Sequence, residues 1–216
     1  MNRVGIRLVG GLGNQMFQYA AARALALRVG AQLDLDLSWF GTVPMREFAL
    51  APFAIKAHRN KTLNFQKTKT GLLFHVNRCL GFAQNMADFS LFNEESFRYD
   101  ARIEQVSTPV FLNGYFQSEQ YFSSFQENIR AEFTVQAAPT TAAAQLLKQI
   151  SETNSICVHI RRGDYVNNPE ANAYHGTCSF DYYRDGLAFV AQNLPQPHCF
   201  VFSDDPQWVH EHFNPM

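Results

Sequence analysis

The sequence predicts an α/β protein built on parallel β-sheets, and three observations support this class. Short apolar stretches typical of strands lie at residues 4–9, 31–37, 110–112 and 155–160, with helical patterns between them. A glycine-rich turn joins the first of these strands directly to a helix. Hydrophobic residues make up 46% of the 216 residues, which is enough to bury a core in one large or two small domains.

The first strand, turn and helix form one unit. Residues 4–9 run into the turn "GGLGNQ", and apolar residues then recur at helical spacing from Phe17 to Leu27 until Gly30 supplies a stop. The following "AQLDLDL" alternates with period two, as a strand with one wet face does. Strand, turn, helix and strand in this order predict a βαβ unit with parallel strands and a right-handed crossover.

The middle of the chain is less regular. From residue 38 to about residue 102 the pattern loosens into aromatic-rich pieces, and no element is assigned there. A buried strand at 110–112 is followed by a turn at Asn113-Gly114 and by a helix over "SEQYFSSFQENIRAEF" with Ser118 as its cap. The composition shift at "VQAAPTTAAA" separates a first domain, residues 1–140, from a second, residues 150–216.

The second half begins with a helix that opens at Pro139 and Thr140. Residues 155–160 then form a strand, Ser179 caps a helix, and "HCFVFSDD" forms a further strand. The final helix has Asp204 or Asp205 as its cap and Pro206 in its first turn. Two strands are far fewer than a doubly wound sheet requires, so we expect this half to be incomplete.

Charge and hydropathy exclude some classes of function. The formal charge is −1 at pH 7, so no global basic field would attract nucleic acid or an acidic membrane. No stretch approaches about 18 consecutive apolar residues, so no transmembrane segment is expected. The N-terminus does not have the pattern of a signal peptide. We expect a cytoplasmic protein, and leave peripheral association with the inner membrane open.

The glycine turn allows several interpretations. Glycines between a strand and a helix let backbone N–H groups approach an anion at the helix N-terminus. Gly11 and Gly13 match a dinucleotide fingerprint, but Met16 occupies its third glycine position. Asp34 and Asp36 follow where a ribose-binding acid would lie, and they also match the D-x-D pattern of a metal-binding glycosyltransferase class. A tight turn without a ligand is the remaining interpretation.

The segment "HIRRGDY" follows an apolar strand and carries the strongest local signal. Strand alternation places His159 and Arg161 on one face and Ile160 and Arg162 on the other. One arginine can then fork onto phosphate oxygens, while the other pairs with Asp164 or a neighbouring carboxylate. A structural ion pair at a strand end, without any ligand, would explain the same residues.

Five blocks of sequence, taken in order, resemble one family. They are "GGLGNQMFQYAAARALA", "GYFQSEQYF", "VHIRRGDYV", "YHGTCSFDYYRDGLAFV" and "VFSDDPQWV". Together they resemble the bacterial α-1,2-fucosyltransferases, glycosyltransferase family 11, over essentially the whole chain. The resemblance implies a GT-B-like fold of two Rossmann-type halves, the second incomplete. It also implies inverting transfer of L-fucose from GDP-fucose to the 2-hydroxyl of a galactose-terminated glycan, without a metal or other cofactor.

The resemblance further implies roles for individual residues. Arg161, Arg162 and Asp164 are expected to be catalytic, with Arg161 on the donor diphosphate. The residues expected to bind the donor are Gly11, Gly13, Asn14, Gln15, His159, Arg161, Arg162 and Tyr165. The candidates on the acceptor side are Gln117, Glu119 and His175. The general base is left open among His175, Glu119 and Asp164. In this scheme the first domain faces the acceptor and the second binds the GDP-sugar.

The family pattern continues beyond "FSDDPQWV", whereas this sequence stops at residue 216. We therefore expect weak or absent transferase activity from these residues alone, and association through an exposed strand edge of the second half. Two alternatives remain open. One is a nucleotide-dependent oxidoreductase, and the other is a non-catalytic sugar- or nucleotide-binding fragment.

Overall fold

The computed structural model describes residues 2–43, 46–60, 63, 89–167, 169, 172–173 and 176–213 of the chain. These residues belong to two compact units, Met1–Ala138 and Pro139–Met216, here called unit 1 and unit 2. Each unit contains a parallel β-sheet with helices, so the predicted α/β class is confirmed. None of the described helices has the length and hydropathy needed to cross a membrane.

Unit 1 is built on a five-stranded parallel sheet with the order β3-β2-β1-β5-β4. Its strands are β1 (Arg3–Arg7), β2 (Gln32–Asp36), β3 (His58–Arg59), β4 (Ser90–Asn93) and β5 (Val110–Asn113). Its helices are α1 (Leu12–Val29) and α2 (Gln126–Glu132). The predicted βαβ unit is confirmed, because β1 and β2 flank α1 and pair in parallel from Arg3↔Gln32 to Arg7↔Asp36.

The core of unit 1 lies between this sheet and α1. Val4, Ile6 and Leu35 of the sheet are fully buried, and Ala21 and Ala22 of α1 pack into the same cluster. The small alanine side chains allow the helix backbone to approach the sheet closely. The left-handed backbone of Gly30 (φ 62°) ends α1, as predicted.

A buried ionic network joins α1 to α2. The Tyr19 hydroxyl donates to the Glu132 carboxylate, and Arg23 Nη2 lies 2.8 Å from Glu132 Oε1. Burial, followed by the hydrogen bond to Glu132, raises the pKa of Tyr19 above its ordinary value. The network therefore keeps Tyr19 neutral and pairs a buried charge.

The single helix predicted over residues 118–133 is wrong. Ser118 does act as a cap, but it opens a short 3-10 turn, Glu119–Tyr121. A second 3-10 turn, Ser123–Phe125, precedes α2. Tyr121 is buried, and its hydroxyl accepts a hydrogen bond from the Asp100 N–H at 3.0 Å. Packing of this aromatic side chain into the core overrides the local helical preference.

Unit 2 contains a two-stranded parallel sheet and four helices among the described residues. Its strands are β6 (Asn154–Ile160) and β7 (Pro197–Ser203), and its helices are α3 (Thr141–Glu152), α4 (Gly163–Asn167), α5 (Phe180–Asn193) and α6 (Pro206–His212). Two predicted helix caps are confirmed, with side-chain oxygens of Ser179 and Asp205 accepting N–H groups of α5 and α6. The helix expected to open at Pro139 and Thr140 is α3, and the Thr140 side chain caps it.

Candidate functional site

The predicted arginines lie at the carboxyl edge of the unit 2 sheet. β6 and β7 pair in parallel from Asn154↔Pro197 to Ile160↔Ser203, so the residues that follow both strands meet at one edge. Arg161 and Arg162 follow β6, and Asp204 and Asp205 follow β7. The topology thus brings two adjacent cations beside two adjacent carboxylates.

Arg162 makes contacts with other residues of unit 2. Its Nε lies 3.2 Å from Asp205 Oδ2, and its guanidinium carbon lies 3.7 Å from the centroid of the Trp208 ring. Its backbone N–H donates to Asp204 Oδ1 at 2.7 Å. Because Asp205 also caps α6 and Trp208 belongs to that helix, Arg162 ties the end of β6 to the start of α6.

Arg161 is more exposed than Arg162. It is exposed at the end of β6, in keeping with the burial of Val158 and Ile160 and the exposure of His159 in that strand. Its guanidinium carbon lies 4.6 Å from the centroid of the Tyr165 ring, one turn further along the chain. The ring lies against the guanidinium, as in a cation–π contact.

The Asp204 carboxylate organises the backbone at this edge. Burial acts to raise its pKa, but the backbone N–H groups of Arg162, Gly163 and Asp204 outweigh burial, and the positive charge of Arg161 adds to them. The pKa of Asp204 therefore lies below its usual value. A Cβ at Gly163 would lie 2.8 Å from Asp204 Oδ2, so the close approach depends on glycine.

The glycine turn of unit 1 is held by Gln15 from inside. This side chain is fully buried. Its Nε2 donates to the carbonyls of Gly10 and Glu47 at 3.0 and 2.9 Å, and its Oε1 accepts the Ala49 N–H at 2.8 Å. The buried Gln15 amide shapes the turn through these three partners, and the donor-binding role expected for Gln15 stays a prediction.

Asn14 and Gln117, predicted on opposite sides of the reaction, lie together in unit 1. Gln117 Nε2 donates to Asn14 Oδ1 at 2.8 Å. Gly10 has a left-handed backbone (φ 78°), and a Cβ there would lie 2.4 Å from Asn14 Nδ2. Gly11 and Gly13 meet no such obstacle. Glu119 is exposed at the start of the 3-10 turn that follows Gln117.

Sequence reasoning missed two residues of this region. Gln18 is fully buried, accepts the Val9 N–H at 2.9 Å and donates to the Gly114 carbonyl at 3.1 Å, so it joins the ends of β1 and β5. Arg46 lines a cavity of about 330 Å³ beside Gly10 and Gly11. The spacing of three residues between the two glutamines of the first helix was the available signal for Gln18, since it places Gln15 and Gln18 on one face.

The acids after the first turn do not favour a dinucleotide or a metal. Asp34 is fully buried and contacts Arg3 Nε at 2.8 Å and His58 Nδ1 at 3.0 Å. Asp36 is also fully buried and accepts the Ser38 N–H at 2.8 Å. A ribose-binding acid must reach its ligand, so the oxidoreductase interpretation loses the support of these two acids. Across the described part of the chain no three His, Cys, Asp or Glu side chains cluster as metal ligands do.

Two predicted positions cannot be placed. His175 and the side chain of Asp164 lie outside the described residues. The predicted residues that are placed form one group in each unit. In unit 2, His159, Arg161, Arg162 and Tyr165 lie at the carboxyl edge of the sheet, and in unit 1, Gly11, Asn14, Gln15 and Gln117 lie at the start of α1 and beside it.

Comparison with known proteins gives consistent matches. The family model of glycosyl transferase family 11 matches residues 2–215. An alpha-1,2-colitosyltransferase of Escherichia coli is 34% identical over 217 residues, covering 99% of this chain and 73% of the relative. The O-antigen biosynthesis glycosyltransferase WbnK of Escherichia coli is 31% identical over 224 residues, with coverage of 95% and 74%. A galactoside 2-alpha-L-fucosyltransferase of Caenorhabditis elegans is 34% identical over 102 residues, with coverage of 44% and 26%.

Two solved structures also match the chain. A NodZ alpha-1,6-fucosyltransferase soaked with GDP-fucose has a TM-score of 0.45 at 15% identity, and the match covers 97% of this chain and 73% of the NodZ chain. Fucosyltransferase NodZ from Bradyrhizobium has a TM-score of 0.47 at 13% identity, with coverage of 97% and 74%.

Proposed function

The chain belongs to glycosyl transferase family 11, and from that premise we propose that it transfers L-fucose from GDP-fucose to the 2-hydroxyl of a galactoside. In this reaction the bond from sugar C1 to the β-phosphate oxygen breaks, and a bond from C1 to the acceptor oxygen forms on the opposite face. GDP leaves with the bonding electrons, and the acceptor proton passes to a base. The residues 1–140 are proposed to bind the acceptor and residues 150–216 the GDP-sugar.

The observation that carries the proposal is the environment of Arg161. As the sugar departs, negative charge grows on the β-phosphate, and a fixed cation aimed there lowers the barrier. Arg162 is paired with Asp205, and the backbone N–H groups at this edge are bonded to Asp204. Arg161 lies exposed at the end of β6, with its guanidinium carbon 4.6 Å from the centroid of the Tyr165 ring. On the basis of the exposure of Arg161 at the carboxyl edge of the sheet, we assign the diphosphate to it, and give His159 and Tyr165 supporting roles.

The test replaces Arg161 with lysine, which keeps the charge but loses the planar fork. Loss of one transition-state donor typically lowers turnover by roughly 10² to 10³. GDP release from GDP-fucose with lactose measures turnover, and calorimetry with GDP measures donor binding. The control is Arg184→Lys, because Arg184 is exposed on α5 and pairs with Asp181 and Asp185. Near-normal turnover and GDP affinity in Arg161→Lys would remove Arg161 from the mechanism.

On the acceptor side, the contact between Asn14 and Gln117 supports a shared role in positioning the acceptor hydroxyl. Glu119 is two residues from Gln117 and exposed, which is what a base that meets its substrate from solvent requires. We assign Glu119 as the base candidate among the described residues. Replacement by glutamine should lower turnover by about 10² to 10⁴, while GDP affinity stays the same.

The 34% sequence identity with the colitosyltransferase favours GDP-colitose as the alternative donor. Colitose is fucose without the 3-hydroxyl, so the two donors differ by one hydrogen-bonding group. A site built around that hydroxyl rejects the analogue without it by roughly 10⁴ to 10⁵. Comparison of kcat/KM for GDP-fucose and GDP-colitose with one acceptor decides between them, and a clear preference for GDP-colitose would replace fucose in the proposal.

A further inference from the structure

A cavity of about 300 Å³ lies beyond the carboxyl ends of β1, β4 and β5, and none of the site residues predicted from the sequence lines it. Its lining includes Arg7, Glu95, Phe97, Asn113, Gly114 and Tyr115. In the sheet order β3-β2-β1-β5-β4, the chain leaves β1 toward β2, whereas β5 and β4 lie on the other side of β1. β1 and β5 thus flank a topological switch point, outside which ligands of open parallel sheets bind.

Two aromatic rings form one wall of this cavity. Phe97 and Tyr115 have their ring centroids 6.2 Å apart at an interplanar angle of 35°. Phe97 is 64% exposed and Tyr115 is 38% exposed. Adjacent exposed aromatic side chains at a cavity mark a surface that a ligand covers.

The wall is held rigidly by Glu94. Its carboxylate accepts the Tyr115 N–H at 2.7 Å and the Phe116 N–H at 3.0 Å. A Cβ at Gly114 would lie 2.5 Å from Glu94 Cβ, so only glycine permits this approach. Phe116 has a left-handed backbone (φ 54°) and is fully buried, which anchors the segment from below. A site whose backbone is already fixed loses little entropy when it binds a ligand.

The polar groups around the aromatic wall suit a neutral polyol. Glu95 Oε1 pairs with Arg102 Nη1 at 2.8 Å, and Asn113 Nδ2 donates to Asn93 Oδ1 at 2.8 Å. Carboxylate and amide groups retain further acceptor and donor capacity in such pairs. The charged side chains that line the cavity are Arg7 and the two carboxylates of Glu94 and Glu95, to which sugar hydroxyls can donate.

We propose that this cavity binds the terminal galactose of the acceptor, with the apolar face of the pyranose on Phe97 and Tyr115 and its hydroxyls toward Glu95 and Asn113. In galactose the C–H groups at C3, C4 and C5 form one apolar face, and their positive hydrogens complement the negative face of an aromatic ring. The assignment rests on the proposed transfer to a galactoside. It names the residues that recognise the acceptor sugar.

The experiment measures galactoside and GDP binding to the 216-residue chain. Titration with methyl β-galactoside is followed by NMR shifts of backbone amides, and GDP is titrated by calorimetry. We expect the largest galactoside shifts at residues 94–97 and 113–116. We also expect Phe97→Ala to weaken galactoside binding about 5- to 10-fold, with GDP affinity unchanged. Glu95→Gln, which preserves side-chain size, should weaken galactoside binding as well.

The matched control is Leu91→Ala on β4, an exposed apolar residue of the same unit that does not line the cavity. It should leave galactoside binding unchanged. Equal losses in Phe97→Ala and Leu91→Ala, galactoside shifts confined to other residues, or undetectable galactoside binding at millimolar concentration would each overturn the cavity assignment. A loss of GDP affinity in Phe97→Ala would overturn it too, because the wall would then serve the nucleotide.

The two proposals fail in different ways. If GDP binds and fucose is transferred while galactoside shifts lie elsewhere, the cavity assignment fails and the proposed function stands. If neither GDP nor GDP-fucose binds to the chain although galactoside binds at the cavity, the proposed function fails and the chain is a sugar-binding protein.

Discussion

At the scale of single residues, two adjacent arginines have opposite uses because a strand alternates its faces. Arg162 follows the parity of the buried Val158 and Ile160 and is drawn into a pair with Asp205 and Trp208. Arg161 follows the parity of the exposed His159. Identical side chains, one residue apart, therefore provide a structural brace and a candidate for anion binding.

Replacement of Arg162 by lysine should reduce stability more than it reduces donor affinity. The ammonium group keeps the charge, but it cannot reproduce both the contact with Asp205 and the flat stacking on Trp208. We expect a loss of about 1 kcal/mol in the free energy of unfolding of unit 2, since the ion pair is only partly buried. Urea denaturation of the wild type, Arg162→Lys and Arg161→Lys measures this free energy. An equal loss of stability in the two variants would contradict a structural role that belongs to Arg162 and not to Arg161.

Asp204 should make the stability of unit 2 depend on pH. Its pKa is lowered in the folded state, so its contribution is present above the unfolded pKa of about 3.9 and is lost as pH falls through the folded pKa. Asp204→Asn keeps an acceptor for the Arg162 N–H but cannot titrate. The stability difference between the two proteins should therefore be larger at pH 7 than at pH 2.5, as denaturation curves can show. A difference that is the same at both pH values would exclude Asp204 as the titrating group.

At the scale of secondary-structure elements, the turn before α1 depends on the backbone of one glycine. Gly10 has a positive φ and no room for a Cβ beside Asn14, whereas Gly13 meets nothing within 4 Å. The two glycines belong to the same short motif, but only Gly10 is required by its backbone conformation and its neighbours. The sequence motif alone does not distinguish them.

Alanine at these two glycines should have opposite effects. Gly10→Ala costs about 1 to 2 kcal/mol for the left-handed backbone, and it displaces Asn14 from Gln117. Gly13→Ala lies within α1 and should stabilise the chain by about 0.5 to 1 kcal/mol, because alanine loses less entropy in a helix. Thermal denaturation of both variants provides the measurement. Destabilisation by Gly13→Ala of the same size would show that the turn as a whole rejects side chains.

Helix boundaries show where local rules suffice and where they fail. The caps at Thr140, Ser179 and Asp205 were predictable because each cap depends on residues two or three positions away. The helix over residues 118–133 was not, since burial of Tyr121 against distant parts of unit 1 breaks it into two 3-10 turns and α2. Strands β3 and β4 also went unpredicted, because each is short and pairs with residues far away in the sequence.

At the scale of the whole molecule, buried apolar residues are concentrated in unit 1. Among the described residues of unit 2, only Val158, Ile160 and Phe200 are buried hydrophobic residues, and α3, α5 and α6 contain no buried residue. Unit 1 has a sheet of five strands around a larger cluster. Less apolar surface is therefore removed from water in unit 2.

Hydrogen exchange should reveal this difference. Amide protons of β1, β2 and β5 should exchange most slowly, and those of β6 and β7 should exchange through opening of lower free energy. Mass spectrometry of peptides from both sheets, with exchange times from seconds to hours, measures the order. Equal protection of the two sheets would contradict this expectation and would mean that the chain unfolds as one cooperative body. In that case Glu132→Gln, which breaks the buried network of unit 1, should lower the protection of both sheets.

The sequence by itself determined the α/β class, the first βαβ unit, the helix caps and the family, because these depend on periodicity, short-range hydrogen bonds and the order of motifs along the chain. Only the tertiary structure decided which arginine is braced, why Gln15 is buried and where the aromatic cavity lies. Each of these depends on residues tens of positions apart, such as Glu94 and Tyr115, whose contact follows from strand order and packing rather than from local pattern.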